Sequence, residues 1–414
     1  MHQSKYDLEA LPAQAVSSRP RVAVIGGTGH LIRTAAGRGV DVVYLHDAGT
    51  TPLAEAAMAE TVLEVTLSDL DAVCAVLLPL HTAHPFSAVM SLTEHGLIPA
   101  AAAREHLGVP GNSLRTVRSL KDKRAMRERL TETGLSPVLS SIPETLADLV
   151  RFCRTAGGPV ILKPRDGVGS RGVFRIDSPE DAPAAWRDFI ATGSSSPLVE
   201  EFLDGPEVSV ESITIGGIHH VLAVTDKQVN ANFVEMGHTM PSRLSTTDTS
   251  EVRALVTRFL DAVGVVDGPT HTEVKVTGRG PRIIESHDRI GGDKIRVLLR
   301  IATGIDLPAL FVDIAVGRAS GLPAPTAFRG AAVRFLSASP GTVSSVSVPT
   351  VAPPQEIHVG VVAGDTVHPV RRSGDRPGYV IGDGRDACEA SDKADALRDA
   401  VRIVTSGNDA GDQE

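Results

Sequence analysis

The chain has 414 residues, 42% of them apolar and 22% charged, with a net charge of −9. That length asks for two to four domains rather than one core. The acidic balance, and the lack of any basic run interleaved with aromatics, speak against nucleic acid as a partner. Cys74, Cys153 and Cys388 are odd in number and far apart, which indicates neither a zinc pair nor a disulfide framework and fits a reducing, cytoplasmic setting. Residues 1–20 lack a cationic start followed by an apolar stretch, so no secretory signal is read. No run approaches the ~18–20 apolar residues of a membrane helix, so no membrane partner is expected.

In chain order, Arg21 to Ile25 is an apolar run ending in Gly26-Gly27-Thr28-Gly29. Val40 to Leu45 is a second run, and Val73 to Leu78 reads as a third strand, with His81 and His84 just beyond it. Strands alternating with helical stretches predict βαβ units and a parallel sheet. A basic amphipathic helix is expected from Ser119 to Thr133, closed by Gly134. A small α+β unit follows, then a loop or hinge at Gly193 to Pro197 and a larger β-rich unit. Leu322 to Thr326 reads as a Pro-rich linker, and a final helix is expected from Ala390 to Val404.

The Gly26–Gly29 turn invites a dinucleotide reading. The G-x-G-x-x-G fingerprint fails, because Ile32 stands where the third glycine must admit close helix–strand packing. A tight turn in a Rossmann-like domain that binds no dinucleotide is the better reading. Ile161-Leu-Lys163-Pro164 is different. A strand ending in lysine precedes Gly167, Gly169, Ser170 and Gly172, so a glycine loop can close over phosphates through its backbone N–H groups. The bland alternative is a solvated lysine and a hairpin loop. The segment from Leu198 through Glu200, Glu201 and Leu203 to Glu207 joins an apolar strand to acids at a turn. It suits an adenine edge and ribose hydroxyls, or else is an ordinary strand–turn–strand.

The most informative segment runs from His271 to Arg289. Gly278-Arg279-Gly280 reads as the tip of a hairpin. Pairing about Arg279 sets Thr277 opposite Pro281 and Glu273 opposite Glu285. Alternation along a strand then puts Glu285 and His287 on one face, with Glu273 beside them. Opposed like charges destabilise a bare hairpin, but they suit a divalent cation shared with substrate phosphates, as Mg²⁺ (or Mn²⁺) prefers.

Taken in order, these segments resemble the ATP-grasp superfamily, over about residues 20–320. The resemblance implies an ATP-grasp fold of α/β and α+β parts. These are a Rossmann-like domain at 20–118, a small lid domain at 119–195, a central domain at 196–321 and a C-terminal α+β subdomain at 326–405. It implies that Lys123 and Lys163 hold ATP phosphates, and that Gly167 to Gly172 is the mobile lid loop. Glu200, Glu201 and Leu203 resemble the adenine hinge, and Glu207 the ribose acid. Glu273 and Glu285 resemble the magnesium acids. Arg289 resembles the arginine that stabilises acyl phosphate and leaving phosphate. Within the superfamily, Glu235-Met-Gly237-His238 and Arg289-Ile-Gly291-Gly292-Asp293-Lys294 are similar to dipeptide-forming L-amino-acid ligases and carnosine-synthase-like enzymes, which places His238, Arg289, Gly291 and Gly292 by the substrates. One departure stands out. The usual E-x-N-P-R reads Glu285-Ser286-His287-Asp288-Arg289, with His287 in place of the asparagine. His287 or Asp288 then supplies the third group, or the metal is held by fewer protein groups.

The implied chemistry is amide formation between a small-molecule carboxylate and an amine, through an acyl phosphate, with ADP and phosphate released. Amino acids or their derivatives are the expected substrates, and a homodimer stays open. Two rivals use the same fold: an ATP-dependent carboxylase or acyl kinase that needs no amine, and a non-catalytic nucleotide-binding subunit.

Overall fold

The structure is a computed structural model that describes residues 18–406 apart from 166, 168, 170 and 195. It divides into two compact units, residues 1–110 and 111–414.

The first unit is built from β1 (Arg21–Ile25), α1 (Gly29–Gly37), β2 (Asp41–Asp47), β3 (Thr61–Val65), α2 (Leu70–Ala83), β4 (Ala88–Met90) and α3 (Leu97–Leu107). Its four strands run parallel in the order β3-β2-β1-β4. The Arg21–Ile25 run is buried on both faces, as an inner parallel strand requires. The parallel sheet is as expected, but its third strand is not Val73–Leu78. That run lies in helix α2, where Val73, Cys74 and Leu77 turn inward. A short apolar run cannot be assigned by its pattern alone. The cap decides here: the Asp69 carboxylate accepts the Ala72 N–H at 3.0 Å and starts a helix. Pro79 sits inside that helix, His81 occupies its last turn and His84 its C-cap. The two histidines therefore do not follow a strand. At the glycine turn, a Cβ on Gly29 would meet the Glu55 carboxylate 2.1 Å away. Glu55 therefore packs directly against this glycine at the start of α1.

The second unit opens with α4 (Leu114–Lys121) and α5 (Lys123–Glu132), in place of one continuous basic helix. Asp122 makes the break by accepting the Arg124 N–H at 2.9 Å, which leaves Lys123 as the first helical residue. Next come β5 (Ser140–Ser141), α6 (Leu146–Ala156), β6 (Val160–Pro164), β7 (Phe174–Ile176), α7 (Ala182–Ala191) and β8 (Pro197–Glu201). Their sheet has the order β5-β8-β6-β7 and covers a core around Leu149, Leu162, Phe189 and Val199.

An eight-stranded antiparallel sheet forms the centre. The elements from here are β9 (Glu207–Ile215), β10 (Ile218–Val229), β11 (Glu235–Met240), α8 (Thr246–Val263), β12 (Gly268–Thr277) and β13 (Gly280–His287), then α9 (Ile295–Thr303), α10 (Leu307–Ala315), β14 (Gly330–Phe335), β15 (Gly341–Ser347), β16 (Glu356–Val359), β17 (Thr366–Val367) and β18 (Gly378–Gly384); β15 and β17 leave the central sheet and join the last strand of the chain in a separate three-stranded sheet. The order in the central sheet is β13-β12-β9-β10-β11-β14-β18-β16. One face is apolar: Val208, Val210, Val274 and Ile283 pack on Val256 and Phe259 of α8. The alternating residues of the same strands are therefore free to carry polar chemistry on the other face. The chain closes with α11 (Ala387–Ala400) and β19 (Arg402–Ser406). The last helix thus stops before Val401, and Val404 belongs to a strand paired with β15. No helix among the described residues is long and apolar enough to cross a membrane.

Candidate active site

On the polar face, strand pairing lays six side chains out as a grid. Ser209, Glu273 and Glu285 form one row across β9, β12 and β13; Glu211, His271 and His287 form the next. The hairpin reaches this register by a route the sequence did not show. Its tip is a two-residue turn, with Thr277 opposite Gly280 and Val276 opposite Pro281. A bulge beside Glu273 then inserts Ile284, and from there Glu273 does face Glu285. A bulge leaves backbone groups unpaired, and Arg127 of α5 and Ser136 just beyond that helix claim groups beside it. Arg127 donates to Ile283 O at 2.9 Å, while Ile283 N–H donates to Ser136.

Cations converge on these acids. Lys123 Nζ lies 2.7 Å from Glu285 and donates to Gly167 O at 2.8 Å. Lys227, from β10, lies 2.6 Å from Glu273, 3.0 Å from Glu207 and 3.4 Å from Glu235. Burial alone would raise the pKa of Glu273, but Lys227 overcomes it and holds the group at about 2. Glu285 is likewise held well below the usual carboxylate range, burial being outweighed by Lys123. Lys227 is pushed the other way: burial opposes its charge, yet Glu273, Glu207 and Glu235 keep it protonated far above its ordinary value. His271, buried between Glu211 at 2.9 Å and Glu273 at 3.4 Å, is raised to about 9 against its desolvation.

The small sheet supplies the other wall. Lys163 Nζ lies 2.6 Å from Glu200, whose second oxygen accepts Arg127 Nε at 2.8 Å. Glu200 is 5% exposed and, despite that burial, these two cations hold its pKa at about 2. Its carboxylate is thus turned to Lys163 and Arg127. Glu201 points the opposite way, accepting the Leu139 N–H at 3.0 Å and Arg279 from the hairpin tip at 2.5 Å. Gly167 and Gly172 both lie close against Pro164 at the end of β6. At Gly172, with φ of +76°, a Cβ would stand 3.1 Å from Pro164.

One cleft is lined by Lys123, Lys163, Gly167, Gly169, Glu200, Glu201, Leu203, Glu207, Glu273 and Glu285, with Lys227, Glu235, Phe202 and Ile284 beside them. Of the residues read from sequence as nucleotide or metal groups, Gly172 and His287 lie next to this lining rather than in it, and Ser170 is outside the described residues. His287 Nε2 lies 3.2 Å from Glu285, and its ring stacks on His271. Asp288 is turned to Asn112, whose amide lies 2.6 Å from it.

A second group gathers around His238. Its ring is 3% exposed and edge-on to Phe335, and neither nitrogen has a hydrogen-bond partner among the described residues. Asp293 Oδ2 stands 3.9 Å away. Arg376 grips both Asp293 oxygens, at 2.7 and 2.8 Å, donates to Glu235 O and lies over the Phe335 ring. Asp293 and Lys294 both have positive φ, 47° and 72°, which non-glycine residues adopt only where the surroundings impose it. Arg289 donates to Ile290 O. A Cβ on Gly291 would come 2.6 Å from the His271 ring, so this glycine makes room for the imidazole.

Lys227, Glu211, His271, Arg127 and Arg376 were not singled out from sequence. Lys227 and Glu211 sit in ordinary-looking strands, and the sheet order alone brings them to the acids.

The donors fit the groups the resemblance implies. Two hard carboxylate oxygens on one sheet face, with lysines at hand for phosphates, suit a magnesium–nucleotide pair. Among the described residues no three His, Cys, Asp or Glu side chains converge as a complete metal cage.

Residues 156–296 match the family model for an ATP-grasp domain, 32–111 that for an ATP-grasp N-terminal domain, and 334–406 that for an L-amino acid ligase C-terminal domain 2. Alanine–anticapsin ligase of Bacillus subtilis (strain 168) is 27% identical over 261 residues, which is 57% of this chain and 55% of that protein. Carnosine synthase 1 of Homo sapiens is 28% identical over 260 residues, 56% of this chain and 31% of that protein. These alignments thus take in about half of the bacterial relative and a third of the human one. The crystal structure of an L-amino acid ligase from Bacillus licheniformis superposes with a TM-score of 0.78 at 23% identity, over 94% of this chain and 99% of that one. The chain has the ATP-grasp fold, with segments in succession that match an ATP-grasp N-terminal domain, an ATP-grasp domain and an L-amino acid ligase C-terminal domain 2.

Proposed function

We propose that this chain is an ATP-dependent ligase that joins a carboxylate to an amine, releasing ADP and phosphate, with amino acids or close derivatives as both partners. The observation that carries the reading is the cleft in which Lys123 of α5, Lys163 of the small sheet, and Glu273 and Glu285 of the central sheet meet. Two relatives named as an alanine–anticapsin ligase and a carnosine synthase support the substrate class.

In this reading Lys123 and Lys163 bind the phosphates, and Leu203, with its hinge neighbours, takes the adenine. Glu207 takes the ribose. Glu273 and Glu285 hold Mg²⁺, which when bound neutralises the charge spread over the phosphate oxygens. The substrate carboxylate attacks the γ-phosphorus and ADP leaves. The amine attacks the acyl carbon, phosphate leaves and the amine gives up a proton. Arg289 stabilises the charge that develops on the way. The glycine loop excludes water from the acyl phosphate. His238 and Asp293 line the amino-acid end, where the unpartnered imidazole nitrogens accept or donate to a substrate. Holding the amine in place raises its effective concentration by orders of magnitude.

The test mixes the protein with ATP, magnesium and pairs of amino acids, then identifies nucleotide and condensation product. ADP, phosphate and an amide, all dependent on both partners, are expected. AMP would overturn the mechanism. ADP release with a carboxylate alone, indifferent to any amine, would make the chain an acyl kinase or carboxylase.

A further inference from the structure

His271 is held on four sides. Glu211, 1% exposed on β9, receives its Nδ1 at 2.9 Å, and Ser209 donates to the same carboxylate at 2.7 Å. The His287 ring stacks on one face at 6.3 Å. The backbone at Gly291 closes another side so tightly that a Cβ there would stand 2.6 Å from Nδ1. The remaining direction is Glu273, whose Oε1 lies 3.4 Å from Nε2. An imidazole locked in this way can hold only one orientation, and that orientation aims at the acid facing Glu285.

We propose that Glu211 and His271 are positioning residues for Glu273: Glu211 anchors the ring through Nδ1, and the ring in turn fixes the carboxylate through Nε2. The inference rests on the reading of Glu273 and Glu285 as the acids that hold the divalent ion. Its physical basis is the role of outer partners at metal sites, where a carboxylate–imidazole pair sets the orientation of the ligating group and its loss weakens metal binding by about 10–100-fold. Two facing carboxylates need such an anchor more than most, because their mutual repulsion would swing an unrestrained Glu273 away from Glu285. Lys227 shares Glu273 Oε1 with His271, so Oε2 is the oxygen this arrangement offers to the ion.

The test titrates Mn²⁺ into the full chain with ADP present, following the free-ion electron paramagnetic resonance signal, and measures ADP binding without metal and the melting temperature alongside. Glu211→Gln keeps shape and removes the anchoring charge. It should raise the Mn²⁺ concentration for half-saturation at least tenfold while metal-free ADP binding stays unchanged. Should Glu211→Gln fail to melt cooperatively, His271→Gln, which keeps a donor towards Glu273 but no link to Glu211, should show the same loss. Wild-type Mn²⁺ affinity in a folded variant overturns the inference. A wild-type chain that takes up no Mn²⁺ with ADP overturns the metal reading itself, so the two failures are separable.

Discussion

The ammonium of Lys123 lies 2.7 Å from a carboxylate oxygen of Glu285 and, at the same time, donates to the carbonyl of Gly167 at 2.8 Å. One cation at the first turn of a helix therefore ties the glycine loop to the acid strand. Lys123→Met should loosen both. ATP binding is expected to weaken tenfold or more, about 1.4 kcal/mol per factor of ten. Trypsin should cut faster at Arg165 and Arg171, which flank the loop. Calorimetry and a timed digest read the two effects, and wild-type values in both would remove Lys123 from the site.

Glu285→Gln keeps the volume and removes the charge. Turnover should fall at least a hundredfold at ordinary magnesium, with the melting temperature shifted by only a few degrees, because Glu285 lies outside the apolar core. ADP release and thermal melting decide it. Full activity would sink the metal assignment.

Glu200 makes a statement about acid stability. Its folded pKa, about 2, lies below its ordinary value of 4.5. The unfolded chain therefore binds the proton first as pH falls. The stabilisation is complete above pH 4.5 and is lost between there and about pH 2, and it amounts to about 3 kcal/mol. Urea titrations across pH 6 to 2 should show this slope, and Glu200→Gln should flatten it while lowering stability at neutral pH. An identical slope in the variant would mean that other carboxylates govern acid unfolding.

Arg376→Leu removes the guanidinium that grips Asp293 and lies over Phe335. Because these contacts belong to the end proposed for the amino acids, KM for one of the two proposed amino-acid partners should rise about tenfold or more, while KM for ATP stays within twofold. A change confined to ATP would place Arg376 in the wrong part of the reaction.

How much of this was legible in the sequence depends on distance along the chain. Glu273, Glu285 and His287 share one hairpin, so strand alternation alone puts them on a common face. Lys163 announces itself by ending an apolar strand before glycines. Lys227 and Glu211 give no such sign. They reach Glu273 only because β12 lies next to β9 and β9 next to β10, an order set by packing across the whole sheet. Local signals also misled: Val73–Leu78 has the composition of a strand, and one side-chain cap at Asp69 made it a helix. Asp122 did the opposite inside a stretch that read as one helix, and by ending α4 it brought Lys123 to the site.

The extra residue in the β12–β13 hairpin has a consequence of its own. The tip is one residue tighter than a turn centred on Arg279, and the chain so released reappears as Ile284 in the wall of the cleft. The hairpin thus carries its slack at the working end, where Arg127 fastens it to α5 and, through Glu200, to the small sheet. A tip one residue longer would absorb the bulge and pair Ile284 with Val274, and Glu273 would still face Glu285. The distance between the acids and the size of the hollow before them are separate settings, and the second can drift while the first is kept.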